Sequence, residues 1–145
     1  MACPFFVPTE PADDLALPHP ARLPLGAAWR GTCAAPGQEQ AVPDNHELEG
    51  CNLGYAKTCS RLPEDRKCDA VRLGIAKDSG TLVSLQLVFE IQHRPAGCEL
   101  LEYDSRTGEP PVPRGLGVHS EPSVQRQVEC FLQTYLERRA RQIAD

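Results

Sequence analysis

The sequence lacks the short signatures that identify common classes of protein. It has no Cys-x-x-Cys pair, no phosphate-binding glycine loop, no Gly-x-Ser-x-Gly elbow and no His-Glu-x-x-His, so no motif points to a particular reaction or to an ordinary zinc module. Its net charge of −5 gives no basic surface for nucleic acid. No segment approaches the run of about 18 apolar residues that predicts a membrane span. We therefore expect neither nucleic acid nor membrane as a partner, and any partner should be a protein of unknown identity.

The N-terminal residues 1–15 have neither a basic start nor a long apolar run. This pattern does not predict a secretory signal, so we expect a cytoplasmic protein in a reducing compartment. An odd number of cysteines cannot pair completely within one chain. In the cytosol, metal ligation or free thiols are favoured over structural disulfides. The chain has seven cysteines: Cys3, Cys33, Cys51, Cys59, Cys68, Cys98 and Cys130.

The chain divides into two parts of different character. Its 14 prolines and 11 glycines make about 17% of the chain, above the combined average of roughly 12%. They concentrate in residues 1–63 and around 108–117. The first part is predicted to be extended and loop-rich, because each proline disfavours the helical region for the residue before it. It nevertheless contains too many apolar residues for a disordered tail. We therefore predict a segment pinned to residues 64–145 as one compact unit, with Cys3 and Cys33 as the pins.

Residues 64–145 predict an α+β arrangement. Apolar residues alternate in 69–77 and 81–92, and a third strand is predicted over 98–104 after a turn at Pro95-Ala96-Gly97. Residues 78–80 fit a hairpin loop with Gly80 in the left-handed conformation. Residues 121–143 have helical periodicity, with Ser120 as the predicted cap. The second part is thus predicted to be a three-stranded antiparallel meander packed by a C-terminal helix.

Cys51 and Cys59 are too far apart to share a ligand if they lie on one helix. A helix over 46–59 would separate them by about 12 Å along its axis, at 1.5 Å per residue. If both are ligands, the helix must break between them, and Gly54 is the residue that permits a break. Gly50 would let the backbone approach a cofactor closely. The glycines therefore predict a ligand loop that contacts a cofactor at Gly50 and Gly54.

Four cysteines of the proline-rich part form the predicted metal site: Cys3, Cys33, Cys51 and Cys59. Iron–sulfur clusters commonly use four thiolates and can gather them from distant segments, so a [4Fe–4S] cluster is the leading expectation, with a structural or electron-transfer role. The dispersed set resembles the cysteine clusters of some helicases and primases. Zinc is the alternative metal, although the spacing does not match usual structural zinc sites. The competing prediction is a metal-free interaction module in which these cysteines are small core residues.

The remaining thiols are interpreted without metal. Alternation places Cys68 on the face of its strand opposite Val71, and Cys68 is the predicted substitute if one of the four ligands is misassigned. Cys98 begins the third predicted strand. Cys130 lies about 200° from the centre of the apolar stripe of the C-terminal helix, at 100° per residue, so it is predicted to be exposed.

A metal-dependent nuclease is the remote alternative. Asp69 followed by Glu90-Ile91-Gln92 resembles the Asp…Glu-x-Lys arrangement of a large nuclease superfamily, which implies acidic residues holding magnesium on adjacent strands. This sequence has Gln92 where that family has lysine. If Ile75 pairs with Val83, Asp69 points to the core face and Glu90 points away, so the two carboxylates could not share an ion. No catalytic residue is therefore assigned.

Overall fold

The computed structural model of the chain describes residues 2–15, 23–38, 41–54, 59–66, 68–109, 111–113 and 122–144. These residues form an α+β fold with two antiparallel sheets and two helices, which confirms the predicted fold class. In chain order the elements are β1 (Phe6–Pro11), β2 (Trp29–Cys33), α1 (Asn45–Leu53), β3 (Ala70–Asp78), β4 (Leu82–Ile91), β5 (Arg94–Asp104), β6 (Val112–Pro113) and α2 (Pro122–Ala144).

The second part of the chain forms the predicted meander and packing helix. Strands β3, β4 and β5 are antiparallel neighbours, and the two-residue strand β6 extends the sheet at β5. One face of the sheet packs on α2 because apolar side chains alternate along each strand. The predicted cap, Ser120, lies outside the described residues. The buried members of this sheet–helix cluster are Cys68, Val71, Val83, Leu85, Leu87, Leu101, Val124, Val128 and Leu132.

The two hairpin turns show where local sequence signals succeed and fail. Gly80 adopts a φ of 92°, as predicted for the first turn. The second turn is formed by Gln92 and His93, with φ values of 50° and 64°, and β5 already begins at Arg94. The predicted turn at Pro95-Ala96-Gly97 is therefore wrong. Two consecutive positive φ angles suit a tight hairpin, but residues other than glycine, asparagine or aspartate give little sequence signal for them.

The pairing of β3 with β4 differs from the predicted register by two residues. Ile75 lies opposite Leu85 rather than Val83, and a bulge follows between Ile75 and Lys77. A two-residue shift keeps every side chain on its predicted face, because side-chain direction along a strand repeats every two residues. The core face was therefore predicted correctly in spite of the wrong register. The bulge has no signature in the local sequence.

Two side chains do not lie where alternation predicts. Ile91 is 41% exposed, because it is the last residue of β4 and adjoins the turn. Cys68 is buried in the same cluster as Val71, so its assignment to the opposite face is wrong. The strand begins only at Ala70, and alternation does not extend into the segment before it.

The first part of the chain is more regular than its prolines predict. β1 and β2 form a two-stranded antiparallel sheet, and the chain between them crosses residues that are not described. Pro8 and Pro11 fit in β1 because a two-stranded sheet has only edge strands, where proline is tolerated. At Gly31 a Cβ atom would collide with the carbonyl oxygen of Val7, so the close approach of the two strands requires glycine there.

Helix α2 is buried on two sides. Besides its stripe against the sheet, it packs on a second cluster built mainly from the first part of the chain. Cys130 is 0% exposed in that cluster, so the prediction that it is exposed is wrong. The helical pattern identified only the stripe of large apolar residues and missed a second face made of small and polar ones. The buried members of this N-terminal cluster are Ala2, Cys3, Phe6, Leu25, Trp29, Leu48 and Cys130.

Polar side chains of α2 hold the N-terminal strand in place. Ser123 Oγ donates to the carbonyl oxygen of Pro4 at 2.7 Å, and Arg126 Nε donates to that of Pro8 at 2.9 Å. Ala2 in turn forms an antiparallel bridge to Val71 in β3. The residues around Cys3 are thereby fixed to both the helix and the larger sheet.

Candidate metal centre

Four cysteines from separate segments line one cavity of about 460 Å³. They are the four predicted ligands: Cys3, Cys33, Cys51 and Cys59. The two predicted cofactor-contacting glycines, Gly50 and Gly54, line the same cavity. The fold therefore brings together residues that lie as far apart in the sequence as positions 3 and 59.

Cys3 is fixed through its backbone, and its sulfur is buried. Its N–H donates to the carbonyl oxygen of Cys51 at 3.1 Å, which joins the first ligand segment to α1. Burial raises the pKa of the Cys3 thiol to about 11, while N–H donors from Phe5 and Phe6 act in the opposite direction. Such donors stabilise a thiolate. The Cys3 sulfur thus lies in a dry environment that already contains hydrogen-bond donors.

Cys33 is the last residue of β2. Its N–H donates to the carbonyl oxygen of Ala41 at 2.8 Å, and the Ala35 N–H lies 3.5 Å from its sulfur. Pairing with Phe6 in β1 completes its backbone contacts. Cys33 is 9% exposed and Cys3 is 8% exposed, so these two thiols form the buried floor of the cavity.

Helix α1 ends between Cys51 and Cys59, at the glycine where the sequence permits a break. An Asp44–Glu47 capping box starts the helix, and Gly54, with a φ of 76°, caps its end. The Gly54 N–H donates to the carbonyl oxygen of Gly50 at 2.8 Å. Cys51 consequently occupies the last turn of the helix, while Cys59 reaches the cavity from the chain beyond it.

The environment of Cys51 disfavours its thiolate. Burial, and to a smaller extent negative charge on the other three cysteines and on Glu47, raise the pKa of the Cys51 thiol to about 12. Crowded thiolates repel one another unless a cation lies between them. Without metal, Cys3 and Cys51 are therefore neutral thiols at pH 7.

A single zinc ion would require close approach of its sulfur ligands. Around one zinc ion they would lie about 3.8 Å apart, since each Zn–S bond is about 2.3 Å. Across the described ranges, no three histidine, cysteine, aspartate or glutamate side chains form a group that could hold one ion. The four cysteines nevertheless line one cavity of about 460 Å³.

The other cysteines lie away from the cavity. Cys68, the predicted substitute ligand, belongs to the sheet–helix cluster. Cys98 is exposed, with Gln86 Nε2 donating to its sulfur at 3.3 Å. Cys130 packs in the N-terminal cluster but does not line the cavity. His46 does line it, on the exposed first turn of α1.

The two carboxylates of the nuclease-like arrangement each have their own arginine. Asp69 accepts a hydrogen bond from Arg66 at 2.6 Å and another from the Gln92 N–H at 2.8 Å. Glu90 lies 3.7 Å from Arg72 and is 4% exposed. Alternation along β4 still places Glu90 on the face opposite Leu87 and Phe89, as predicted, but that side chain is buried. Arginine neutralises both carboxylates in place of a shared cation.

Sequence reasoning missed Gln127, which holds the Cys3 segment against α2. Its Nε2 donates to the carbonyl oxygens of Cys3 at 2.7 Å and Phe6 at 2.8 Å, and the side chain is 0% exposed. The available sequence signal was its position directly before Val128, beside the apolar stripe of the helix, where a glutamine can be buried. No described residue hydrogen-bonds to its Oε1.

Comparison with family models, with curated proteins and with solved structures finds no match to this chain. In the part of the chain that the structure describes, no helix has the length and apolar character needed to cross a membrane. Inference about function therefore starts from the four-cysteine cavity.

Proposed function

We propose that this chain is a cytoplasmic iron–sulfur protein in which Cys3, Cys33, Cys51 and Cys59 ligate a [4Fe–4S] cluster. The observation that carries the proposal is the convergence of these four thiols on one cavity. Thiolates of four cysteines are the usual ligands of such clusters. A shared ligand explains why four of the seven thiols converge on one cavity.

A cluster asks less of the ligand spacing than one zinc ion does. A cluster is itself several ångströms wide, so its ligands need not approach one another as closely as they do around a single ion. The described cysteines line one cavity of about 460 Å³, and no three of the described side chains form a single-ion group. The Ala35 N–H lies 3.5 Å from the Cys33 sulfur, and hydrogen bonds to ligand sulfurs help to set the reduction potential of a cluster.

Cluster assembly should depend on pH. Metal binding deprotonates cysteine ligands and releases their protons. Because the pKa values of Cys3 and Cys51 are raised to about 11 and about 12, cluster assembly at pH 7 should release protons. Assembly should consequently become more favourable as pH rises toward those values.

A structural role follows from where the ligands lie. They join the β1–β2 sheet, α1 and the segment after α1, and Cys3 is also bound to α2 through Gln127. A cluster would cross-link these elements, and its binding energy would stabilise their folded arrangement. An electron-transfer role requires in addition that the cluster be reversibly reduced.

Metal and sulfide analysis of anaerobically reconstituted protein tests the proposal. We expect about four irons and four sulfides per chain, with the visible absorption of sulfur-to-iron charge transfer. Serine variants of each of the four ligands should lower the iron content, whereas Cys98→Ser should not, because Cys98 is exposed outside the cavity. One zinc ion per chain, without iron, would contradict the cluster and support a zinc site. Folded protein that binds no metal would support a metal-free interaction module.

Limited proteolysis tests the structural role. In a ligand variant, residues 1–60 should be cleaved faster than in the reconstituted protein, while the β3–β5 sheet and α2 survive longer. Equal cleavage rates with and without the cluster would contradict a structural role and leave electron transfer as the function to be measured.

A further inference from the structure

We infer that the iron bound by Cys59 is the labile iron of the cluster, and that one-electron oxidants release it to leave a [3Fe–4S] cluster on Cys3, Cys33 and Cys51. This inference rests on the proposed cluster. It adds an oxidant-responsive position within that site, and it follows from the unequal way in which the four ligands are held.

Three of the four ligands lie in segments with several backbone restraints. Cys3 is held through hydrogen bonds to α1 and α2. Cys33 ends β2 and is paired on its β1 side with Phe6. Cys51 is within the last turn of α1, and its carbonyl oxygen accepts from Cys3. Displacement of the backbone at any of these three residues would require disruption of a strand, a helix or the contact between them.

Cys59 is held differently. It lies outside every helix and strand, and the hydrogen bond between its carbonyl oxygen and the Leu62 N–H, at 3.2 Å, is local to its own turn. The Ala35 N–H lies 3.5 Å from the sulfur of Cys33, and no hydrogen bond from a described N–H group reaches the sulfur of Cys59. The next residue, Ser60, is exposed at the edge of the cavity. Cys59 is itself only half-buried, unlike Cys3 and Cys33, so solvent oxidants can reach it on this side.

The chemistry balances as oxidation followed by loss of one ion. A one-electron oxidant such as ferricyanide takes one electron from the cluster and converts [4Fe–4S]²⁺ to [4Fe–4S]³⁺. The oxidised cluster then releases Fe²⁺ and becomes [3Fe–4S]⁺, so charge and atoms are conserved. The bond that breaks on the protein side joins the departing iron to the Cys59 sulfur, which takes up a proton from water or remains a thiolate.

An ion pair keeps the released ligand near the site. Arg61 pairs with Glu47 in the first turn of α1, and both side chains are partly buried. Cys59 is only two residues from this contact. The turn that carries Cys59 should therefore stay beside the cavity after iron leaves, and added Fe²⁺ with a reductant should restore the four-iron cluster.

Oxidation of reconstituted wild-type protein with ferricyanide tests the inference. We expect release of one iron per cluster to a ferrous chelator, the EPR signal of a three-iron cluster, and alkylation of Cys59 detected by mass spectrometry before that of Cys3, Cys33 or Cys51. Cys98 is exposed and serves as the internal standard for alkylation.

Two variants sharpen the result. Cys59→Ala should retain a three-iron cluster, whereas Cys33→Ala should lose most of its iron, although both remove one thiol from the same cavity. Equal loss of iron from the two variants, or alkylation of another ligand before Cys59, would overturn the inference. A four-iron cluster in the wild-type protein would still support the proposed function in that case. A wild-type protein that assembles no cluster would overturn both.

Discussion

Replacing Gln127 tests the contact that joins helix α2 to the Cys3 segment. Its side chain makes two buried hydrogen bonds, to the carbonyl oxygens of Cys3 and Phe6. Gln127→Leu keeps a similar volume and removes both donors, so it isolates the hydrogen bonds from cavity formation. Each buried carbonyl left without a partner costs about 1–3 kcal/mol.

Part of that cost is offset in the variant. The Oε1 atom of Gln127 has no described partner. Its removal therefore eliminates the cost of burying one unpaired polar atom, about 1–3 kcal/mol. The Cys3 carbonyl keeps the Phe6 N–H as a donor at 3.1 Å, so the substitution orphans the Phe6 carbonyl and weakens, without emptying, the bonding of the Cys3 carbonyl. The orphaned Phe6 carbonyl and the relieved Oε1 nearly cancel, so Gln127→Leu should lower the free energy of unfolding by about 0.5–1.5 kcal/mol, the worth of the second hydrogen bond.

Urea unfolding followed by two probes measures this effect. Trp29 is the single tryptophan of the chain and is buried in the N-terminal cluster, so its fluorescence reports the layer that Gln127 holds. Circular dichroism reports α2 and the sheets. Gln133→Ala is the matched control, since Gln133 is an exposed glutamine on the same helix. A Gln127→Leu variant as stable as this control would refute the argument.

Three other changes have defined outcomes. Leu85→Ala should cost about 2–5 kcal/mol in urea unfolding, because Leu85 is fully buried, and a loss under about 1 kcal/mol would mean that the site is not tightly packed. Cys130→Ser should cost about 1–3 kcal/mol, since it buries a hydroxyl, whereas Cys98→Ser at an exposed site should stay within about 0.5 kcal/mol. The Tyr135 hydroxyl, the Gly80 N–H and an arginine hold the pKa of Asp78 below its ordinary 3.8. Ionised Asp78 therefore stabilises the fold above that value, and this contribution is lost as pH falls through the lower folded pKa. Asp78→Asn should flatten the acid limb of a stability–pH curve, and an unchanged limb would contradict the assignment.

The sheet and its helix could be predicted because their signals are local. Alternation in β3 and β4 identifies the core face, and the stripe through Val124 and Val128 identifies the side of α2 that meets it. The register of β3 against β4 and the position of the second turn could not be predicted from such local patterns. The Gln92–His93 turn uses residues that rarely adopt positive φ, and the bulge after Ile75 leaves no mark in composition.

The second buried face of α2 could not be read from the helix alone. Cys130 and Gln127 belong to a face whose partner is the proline-rich part of the chain, about 120 positions earlier. Their burial depends on packing between distant segments, which periodicity does not report. The four candidate ligands could be chosen because Gly54 marked a helix end and the prolines marked a segment in need of a cross-link.

Anomalous diffraction at the iron absorption edge, from crystals of the anaerobically reconstituted protein, tests the central claim most directly. The account predicts compact anomalous density for four irons inside the cavity, continuous with the sulfurs of Cys3, Cys33, Cys51 and Cys59. Ordered protein with its four thiols unligated, or with iron bound by any other set of residues, would contradict it.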